Sequence, residues 1–473
     1  MNYRGILFFL GVFVLIIALF SILNIFYSLY FDFIIGLNLY LITFSISASI
    51  GFIFCFVGRN YRKEFSLIDQ LVFISLSFLL IPVLISLPYV FSIYDISLLD
   101  SYFESVSGFT TTGFSIIRNI KDIDDPLVLW RSSSQLIGGL LFLIAIIGTI
   151  GSKQIKIKPS YLIAGGASGR NFYNNFNYNF IKISLIYISS IFLVIVFYSI
   201  VNLRLLDSFN IAFSVVSSGG FLPDESLSNI LKTDLQIFVV SLTLLLPIFN
   251  FFFLQDIFTN KFSFNKYKED LHLVSLIFLT TIFLYFFVIP NEGFVNVFFS
   301  IVSSLSTSGI SIYSSNIDLS LFFLLLAIVG GSLISTSSGF KYTRIYILLK
   351  ISYQEIYRLV KPINIIDKNL YNSEAQIDDQ DIRIAFLAFV FFIISIFTLS
   401  SILAFDFLNF ENSFKLSILT LTNTTNSSLF AISDLNFIDL NNFTKMSLIV
   451  FMVFGKIEII SVIYLIRKII FKQ

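Results

Sequence analysis

Tyr102-Phe-Glu-Ser-Val-Ser-Gly-Phe-Thr-Thr-Thr-Gly113 is a short, semi-polar stretch, and three others in the chain align with it. They are Phe209-Asn-Ile-Ala-Phe-Ser-Val-Val-Ser-Ser-Gly-Gly220, Phe298-Phe-Ser-Ile-Val-Ser-Ser-Leu-Ser-Thr-Ser-Gly309 and Phe414-Lys-Leu-Ser-Ile-Leu-Thr-Leu-Thr-Asn-Thr-Thr425. Eleven positions before the last residue all four carry an aromatic: Tyr102, Phe209, Phe298 and Phe414. Seven before stand Val106, Phe213, Val302 and Ile418, and four before stand Phe109, Val216, Leu305 and Leu421. Apolar residues at such offsets lie on one face of a helix, so each stretch is expected to begin as a helix of about two to three turns. A helix that short cannot cross a hydrocarbon core, so the chain must enter and return.

Each helix then runs into hydroxyls and glycine. Three before the end stand Thr110, Ser217, Ser306 and Thr422, and the end itself is Gly113, Gly220, Gly309 or Thr425. Glycine allows backbone conformations that turn successive carbonyls toward an axis, where they can replace the hydration shell of a cation. Irregular backbone survives at membrane depth only when it is buried or lines water. The negative C-terminal end of each helix points the same way and favours a cation. Asp100, Asp207, Glu292 and Glu411 stand near the positive outer starts. One such cluster would read as a helix-packing surface. Four in register read as a cation filter.

The surrounding sequence fits a membrane. Of 473 residues, 56% are hydrophobic and only 12% charged, with a mean hydropathy of +0.90. Soluble domains are about 25% charged, so a water-soluble enzyme is excluded. The net charge of +1 gives no field for nucleic acid. A single cysteine, Cys55, rules out a disulfide framework or a cysteine metal site, and the lone His272 and Trp130 leave little for histidine–metal chemistry. Cys55 and His272 read as packing residues. The 60 phenylalanines look like the codon bias of an AT-rich genome.

Apolar runs long enough to span occupy residues 5–29, 33–57, 71–94, 132–151, 183–203, 235–255, 271–291, 319–340, 384–405 and 446–466. The first lacks a cleavage site and is expected to stay. Ten crossings put the basic loops on one side: Arg59, Arg62 and Lys63; Lys153, Lys156, Lys158 and Arg170; Lys261, Lys266 and Lys268; Arg358 and Lys361; and Arg467, Lys468 and Lys472. Both termini are then cytoplasmic. Asp95, Asp100, Glu104, Asp122, Asp124 and Asp125 fall opposite. The expected fold is an all-α polytopic membrane protein: two N-terminal helices (1–65) and four helix–pore-loop–helix repeats around a central pore (66–158, 159–260, 261–361, 362–473).

At these residues the chain resembles the Trk/Ktr/HKT family of potassium transporters, in its TrkH-type form. Leu87-Pro88, the stretch Phe103 to Gly113, Trp130-Arg131 and Gln135-Leu-Ile-Gly-Gly139 carry the likeness. So do Gly330-Gly331-Ser332, Ser335-Thr-Ser-Ser-Gly-Phe-Lys341 with Arg344, and Gly455-Lys-Ile-Glu458. The resemblance implies uptake of K⁺ at the bacterial cytoplasmic (inner) membrane, by a homodimer with a pore in each subunit. Its filter would comprise Thr110, Thr111, Thr112, Gly113; Ser217, Ser218, Gly219, Gly220; Ser306, Thr307, Ser308, Gly309; and Thr422, Asn423, Thr424, Thr425. K⁺ would sit at Thr111, Thr112, Ser218, Gly219, Thr307, Ser308, Asn423 and Thr424. Thr425 departs from the family glycine. A β-branched residue is disfavoured at positive φ, which leaves selectivity between K⁺ and Na⁺ open.

The resemblance also assigns a gate. Gly330, Gly331 and Gly339 weaken the helix of run 319–340, and this stretch is similar to an intramembrane loop that occludes the pore. Lys456 lies inside the last apolar run, where a charge is by default functional, and would oppose cations beside the pore. Glu458 is two residues away and faces elsewhere. Lys341 and Arg344 are expected as anchors or partner contacts near the cytoplasmic end, Arg131 as an outer anchor, and Glu104 as a complement to its helix start. Gly165-Gly-Ala-Ser-Gly169 lacks the strand and lysine of a phosphate loop. No organic cofactor is therefore expected in this chain, and a TrkA-like cytosolic subunit binding NAD or ATP would regulate it. The rivals are a secondary transporter, an Na⁺/K⁺-permeable transporter of this fold, and a membrane enzyme. A secondary transporter would show inverted repeats and buried carboxylates. An enzyme would need clustered Asp, His or Arg, which the sequence lacks.

Overall fold

The computed structural model describes residues 2–60, 67–150, 176–258, 267–312, 317–360, 369–372, 377–406, 408–432 and 435–457, and its regular elements are helices. Glu458, the glycine patch 165–169 and most of the basic loop residues lie outside the described residues. Two long helices, Tyr3–Tyr30 and Ile34–Gly58, open the chain as a hairpin. Small residues let their backbones approach. A Cβ on Gly11 would stand 2.9 Å from the Gly51 carbonyl oxygen, and one on Gly58 2.4 Å from that of Arg4. Cys55 packs in this seam.

Four units follow, each with a short helix between two others. The short helices are Leu98–Phe109, Leu205–Ser217, Phe294–Leu305 and Phe410–Thr422, about three and a half turns each and so slightly longer than the periodicity predicts. Val106, Phe213, Val302 and Ile418 are buried in all four. The aromatic column sits nearer the rim: Phe209 is 36% exposed, and the Tyr102 hydroxyl donates to the Leu79 carbonyl at 2.9 Å.

Seven described helices are long and apolar enough to cross a membrane. Their burial sorts them: the apolar window within Asp125–Ile147 is 94% buried and that within Lys268–Val288 only 22%, so the first is central and the second peripheral. Two of the ten expected spans are interrupted within the described residues. Run 319–340 is helical only over Ser320–Val329, as its glycines predict. Run 235–255 is interrupted, which the sequence analysis did not expect: Asp234–Thr243 and Phe251–Phe258 flank a gap containing Pro247. The last run is described as Asn442–Ile457.

Candidate ion pathway

The short helices all end alike. Two residues before the final position of each motif the backbone is left-handed: φ is 59° at Thr111, 63° at Ser218, 61° at Thr307 and 48° at Asn423. Glycine is the usual residue for such a cap, and a β-branched residue there is strained. At the end position itself only Gly113 and Gly309 have positive φ; Gly220 and Thr425 do not. This corrects the objection to Thr425. Its backbone is not in the region that disfavours threonine, and Asn423 keeps the fourth repeat in register with the others.

The residue before each left-handed position ties the turn to its helix. Thr110 Oγ1 donates to the Val106 carbonyl (2.7 Å), Ser217 Oγ to Phe213 (2.7 Å), Ser306 Oγ to Ser303 (2.9 Å) and Thr422 Oγ1 to Ile418 (2.9 Å). These side chains serve the helix ends.

The four turns form a closed ring. Repeat one meets two where the Phe221 N–H donates to Gln135 Oε1 at 3.3 Å. Repeat two meets three where Ser218 Oγ donates to the Ser306 carbonyl and pairs with Thr307 Oγ1 at 2.9 Å. Three meets four where a Cβ on Gly309 would lie 2.8 Å from the Thr425 carbonyl oxygen. Four meets one where Asn423 Nδ2 donates to Thr112 Oγ1 at 3.0 Å and Thr425 Oγ1 donates to the Gly113 carbonyl at 2.8 Å. In that order Gly220 stands opposite Thr425, and the two touch: a Cβ on Gly220 would lie 2.4 Å from Thr425 Cβ. The threonine side chain reaches across the ring. Gly113, Gly220, Ile310 and Thr425 line an open vestibule of about 720 Å³. In its wall, slight burial raises the Asp224 carboxyl. The Asn229 amide, the Glu225 N–H and Lys121 outweigh that and hold it below the usual carboxylate range. Asp224 therefore stays ionised in a wall that also carries Arg118.

Glu104 and Arg131 brace the first turn from behind, correcting both expectations. Arg131 is 1% exposed and Glu104 fully buried. Arg131 Nε donates to Glu104 Oε1 at 2.9 Å, and Glu104 also accepts from Ser115 Oγ (3.1 Å) and the Ile116 N–H (2.9 Å). The guanidinium lies 4.2 Å from the Phe221 ring centroid, joining repeat one to two. Asp100 and Glu411, by contrast, do sit in the first turns of their helices.

Below the ring lies residues 330–341. Gly330, at φ 62° and ψ −167°, occupies a conformation open to glycine alone, and Gly339 has φ 84°. The Ser338 N–H donates to Thr307 Oγ1 (2.9 Å) and Thr336 Oγ1 to the Val216 carbonyl (3.0 Å), so the segment is hung from the turns above it. Lys456 is fully buried, with Nζ donating to Thr111 Oγ1 (2.6 Å) and Ser338 Oγ (2.9 Å). It does not snorkel. Lys341 is not a surface anchor: it is 1% exposed and its Nζ donates to Ser335 Oγ at 3.1 Å. Phe142 lies near both ammonium groups, 4.2 Å from Lys456 and 5.6 Å from Lys341. Arg344 is also buried, while the half-buried His272 packs on the Tyr346 and Tyr371 rings. Sequence reasoning missed Phe142, which stands in an unbroken apolar run. It also missed Glu269 and Asp270, whose only mark is their place before one.

Comparisons bear on this geometry. The chain is 26% identical to the Trk system potassium uptake protein TrkG of Escherichia coli over 450 residues, covering 91% of each. It is 25% identical over 421 residues to an uncharacterized cation transporter of Methanocaldococcus jannaschii, covering 85% of this chain and 82% of that one. The chain is a homologue of the TrkG and TrkH potassium uptake proteins. The crystal structure of the potassium transporter TrkH from Vibrio parahaemolyticus superposes with a TM-score of 0.82 over 98% of both chains at 20% identity, which establishes a shared fold. No family model matches the chain. As a Trk homologue with many apolar helices, it is an integral membrane protein, and the relatives named are transport proteins rather than enzymes.

Proposed function

We propose that the chain takes up potassium ions through the axis of the four-turn ring, gated by residues 330–341. The observation that carries this reading is the ring itself: four helix C-termini end on fully buried Thr111, Ser218, Thr307 and Asn423, with a vestibule above and a buried lysine below. Converging C-termini favour a cation without a counter-charge that would bind it too tightly. K⁺ sits at the carbonyls of residues 111–112, 218–219, 307–308 and 423–424, and Lys456 opposes its passage while the loop is closed. The units are those expected from the sequence, 1–65 and the four repeats from 66, 159, 261 and 362, with ten crossings and both termini in the cytoplasm. The protein works as a homodimer in the bacterial cytoplasmic membrane, with a TrkA-like nucleotide-binding partner on the basic inner loops. A K⁺-uptake-deficient bacterium carrying the gene should grow at low external K⁺. Failure to grow, with the protein present in the membrane, would sink the proposal.

A reading with Na⁺ as well as K⁺ passage is favoured by Thr425. Its hydroxyl occupies the Gly113 carbonyl, and its side chain crosses to Gly220. Thr425→Gly is expected to raise the K⁺:Na⁺ flux ratio in proteoliposomes about fivefold, the factor carried by one hydrogen bond of ~1 kcal/mol. An unchanged ratio would remove Thr425 from selectivity.

A further inference from the structure

Two helices, not one, are interrupted below the ring. After Thr243 the second unit loses its helix until Phe251, and Pro247 within the gap has no N–H to give. Residues 330–341 lie against this gap and bond to it. The Ser332 N–H donates to the Ile248 carbonyl (2.8 Å), the Ser337 N–H to Pro247 (3.0 Å), and the Phe251 N–H to Ile334 (2.7 Å). The fit depends on Gly331, where a Cβ would stand 2.6 Å from the Ile248 carbonyl oxygen. Broken backbone inside a bilayer must find partners, and these two gaps partner one another.

The third unit's first helix, Lys268–Phe283, starts beside them with Glu269 and Asp270 in its first turn. Acids there ordinarily complement the helix dipole. These two reach other segments instead, because consecutive helical residues diverge by about 100°. Glu269 Oε1 accepts from the Leu333 N–H at 3.0 Å and from the Thr343 hydroxyl, one in the loop and one just beyond it. Asp270 Oδ1 accepts from the Asn250 N–H, in the other gap, at 3.0 Å. Glu269 is 9% exposed and Asp270 4%. The Tyr371 hydroxyl donates to Thr343 Oγ1 at 3.1 Å and closes the group.

We infer that Glu269 and Asp270 are positioning residues: a two-pronged clamp that fixes the loop to the gap in the second unit, so that the gate is both interruptions moving together. This rests on reading residues 330–341 as the gate. Neither prong touches the ion. Each acts through a peptide N–H that the interrupted helix cannot satisfy itself.

The test uses the full-length protein in proteoliposomes with Rb⁺ as the permeant ion. Glu269→Ala and Asp270→Ala should each raise basal flux at least fivefold. Glu269→Gln and Asp270→Asn, which keep an acceptor oxygen, should stay within twofold. A second readout follows the loop directly. In a Cys55→Ser background, Ser332→Cys puts a thiol where a buried hydroxyl has no partner among the described residues. A water-soluble thiol reagent should label it at least tenfold faster when Glu269 is alanine. Unchanged flux and labelling in monodisperse alanine variants would overturn the clamp, as would Glu269→Gln behaving like Glu269→Ala. If the alanine variants aggregate, Thr343→Val decides: labelling threefold faster supports the clamp and unchanged labelling overturns it. Wild-type protein that carries no Rb⁺ overturns the transport reading, and the labelling still decides the clamp.

Discussion

Glu104→Ala is expected to abolish K⁺ uptake and to cost the fold about 3–5 kcal/mol, the range for removing one partner of a buried ion pair. The loss is large because the carboxylate does three things at once. It neutralises Arg131 at 2.9 Å, and it holds Ser115 and the Ile116 N–H, which begin the segment leaving the first turn. Without it a guanidinium that is 1% exposed, with Nη1 already lacking a partner among the described residues, would stand uncompensated behind the ring. Thermal unfolding in detergent and Rb⁺ uptake by whole cells measure the two losses. Glu104→Gln retains one acceptor oxygen, enough for either Ser115 or the Ile116 N–H but not both, and should lose less uptake and less stability. Near-normal uptake in Glu104→Ala would show that the first turn does not need its brace.

Lys456→Ala should act in the opposite direction, raising K⁺ flux at least tenfold. A unit charge about 5 Å from a passing cation, at an effective dielectric near 20, opposes it by about 3 kcal/mol. The ammonium is well placed to do so, since it bonds at once to Thr111 at the inner end of the ring and to Ser338 on the loop. Lys456→Arg keeps the charge and should stay close to wild type. Proteoliposome flux decides, and an unchanged or abolished flux in Lys456→Ala counts against the barrier.

Some of this architecture is readable locally and some is not. The columns Val106, Phe213, Val302, Ile418 betray buried helix faces, because helical period and apolar character are both carried by neighbours in the chain. The glycines of residues 330–339 likewise announce an interruption. The gap around Pro247 does not: residues 235–255 stay apolar through the break, and hydropathy responds to composition, not to hydrogen bonds. Left-handed Thr111 and Thr307 run against their own propensity, so nothing local predicts them. Surrounding contacts impose that conformation.

Arg131 shows the same boundary. From its neighbours it looked like a surface anchor, and its true partner, Glu104, is 27 positions away. Thr425 could be recognised as a departure from glycine, yet only the assembled ring brings its side chain against Gly113 and Gly220. Membrane class, the number of repeats and the place of one interruption come from additive properties of short segments, and the chain states them outright. Which turn lies beside which, where two buried lysines go and what holds the loop closed depend on bonds spanning tens to hundreds of residues, such as Lys456 to Thr111 across 345 positions. Such pairs exist only once the helices have packed.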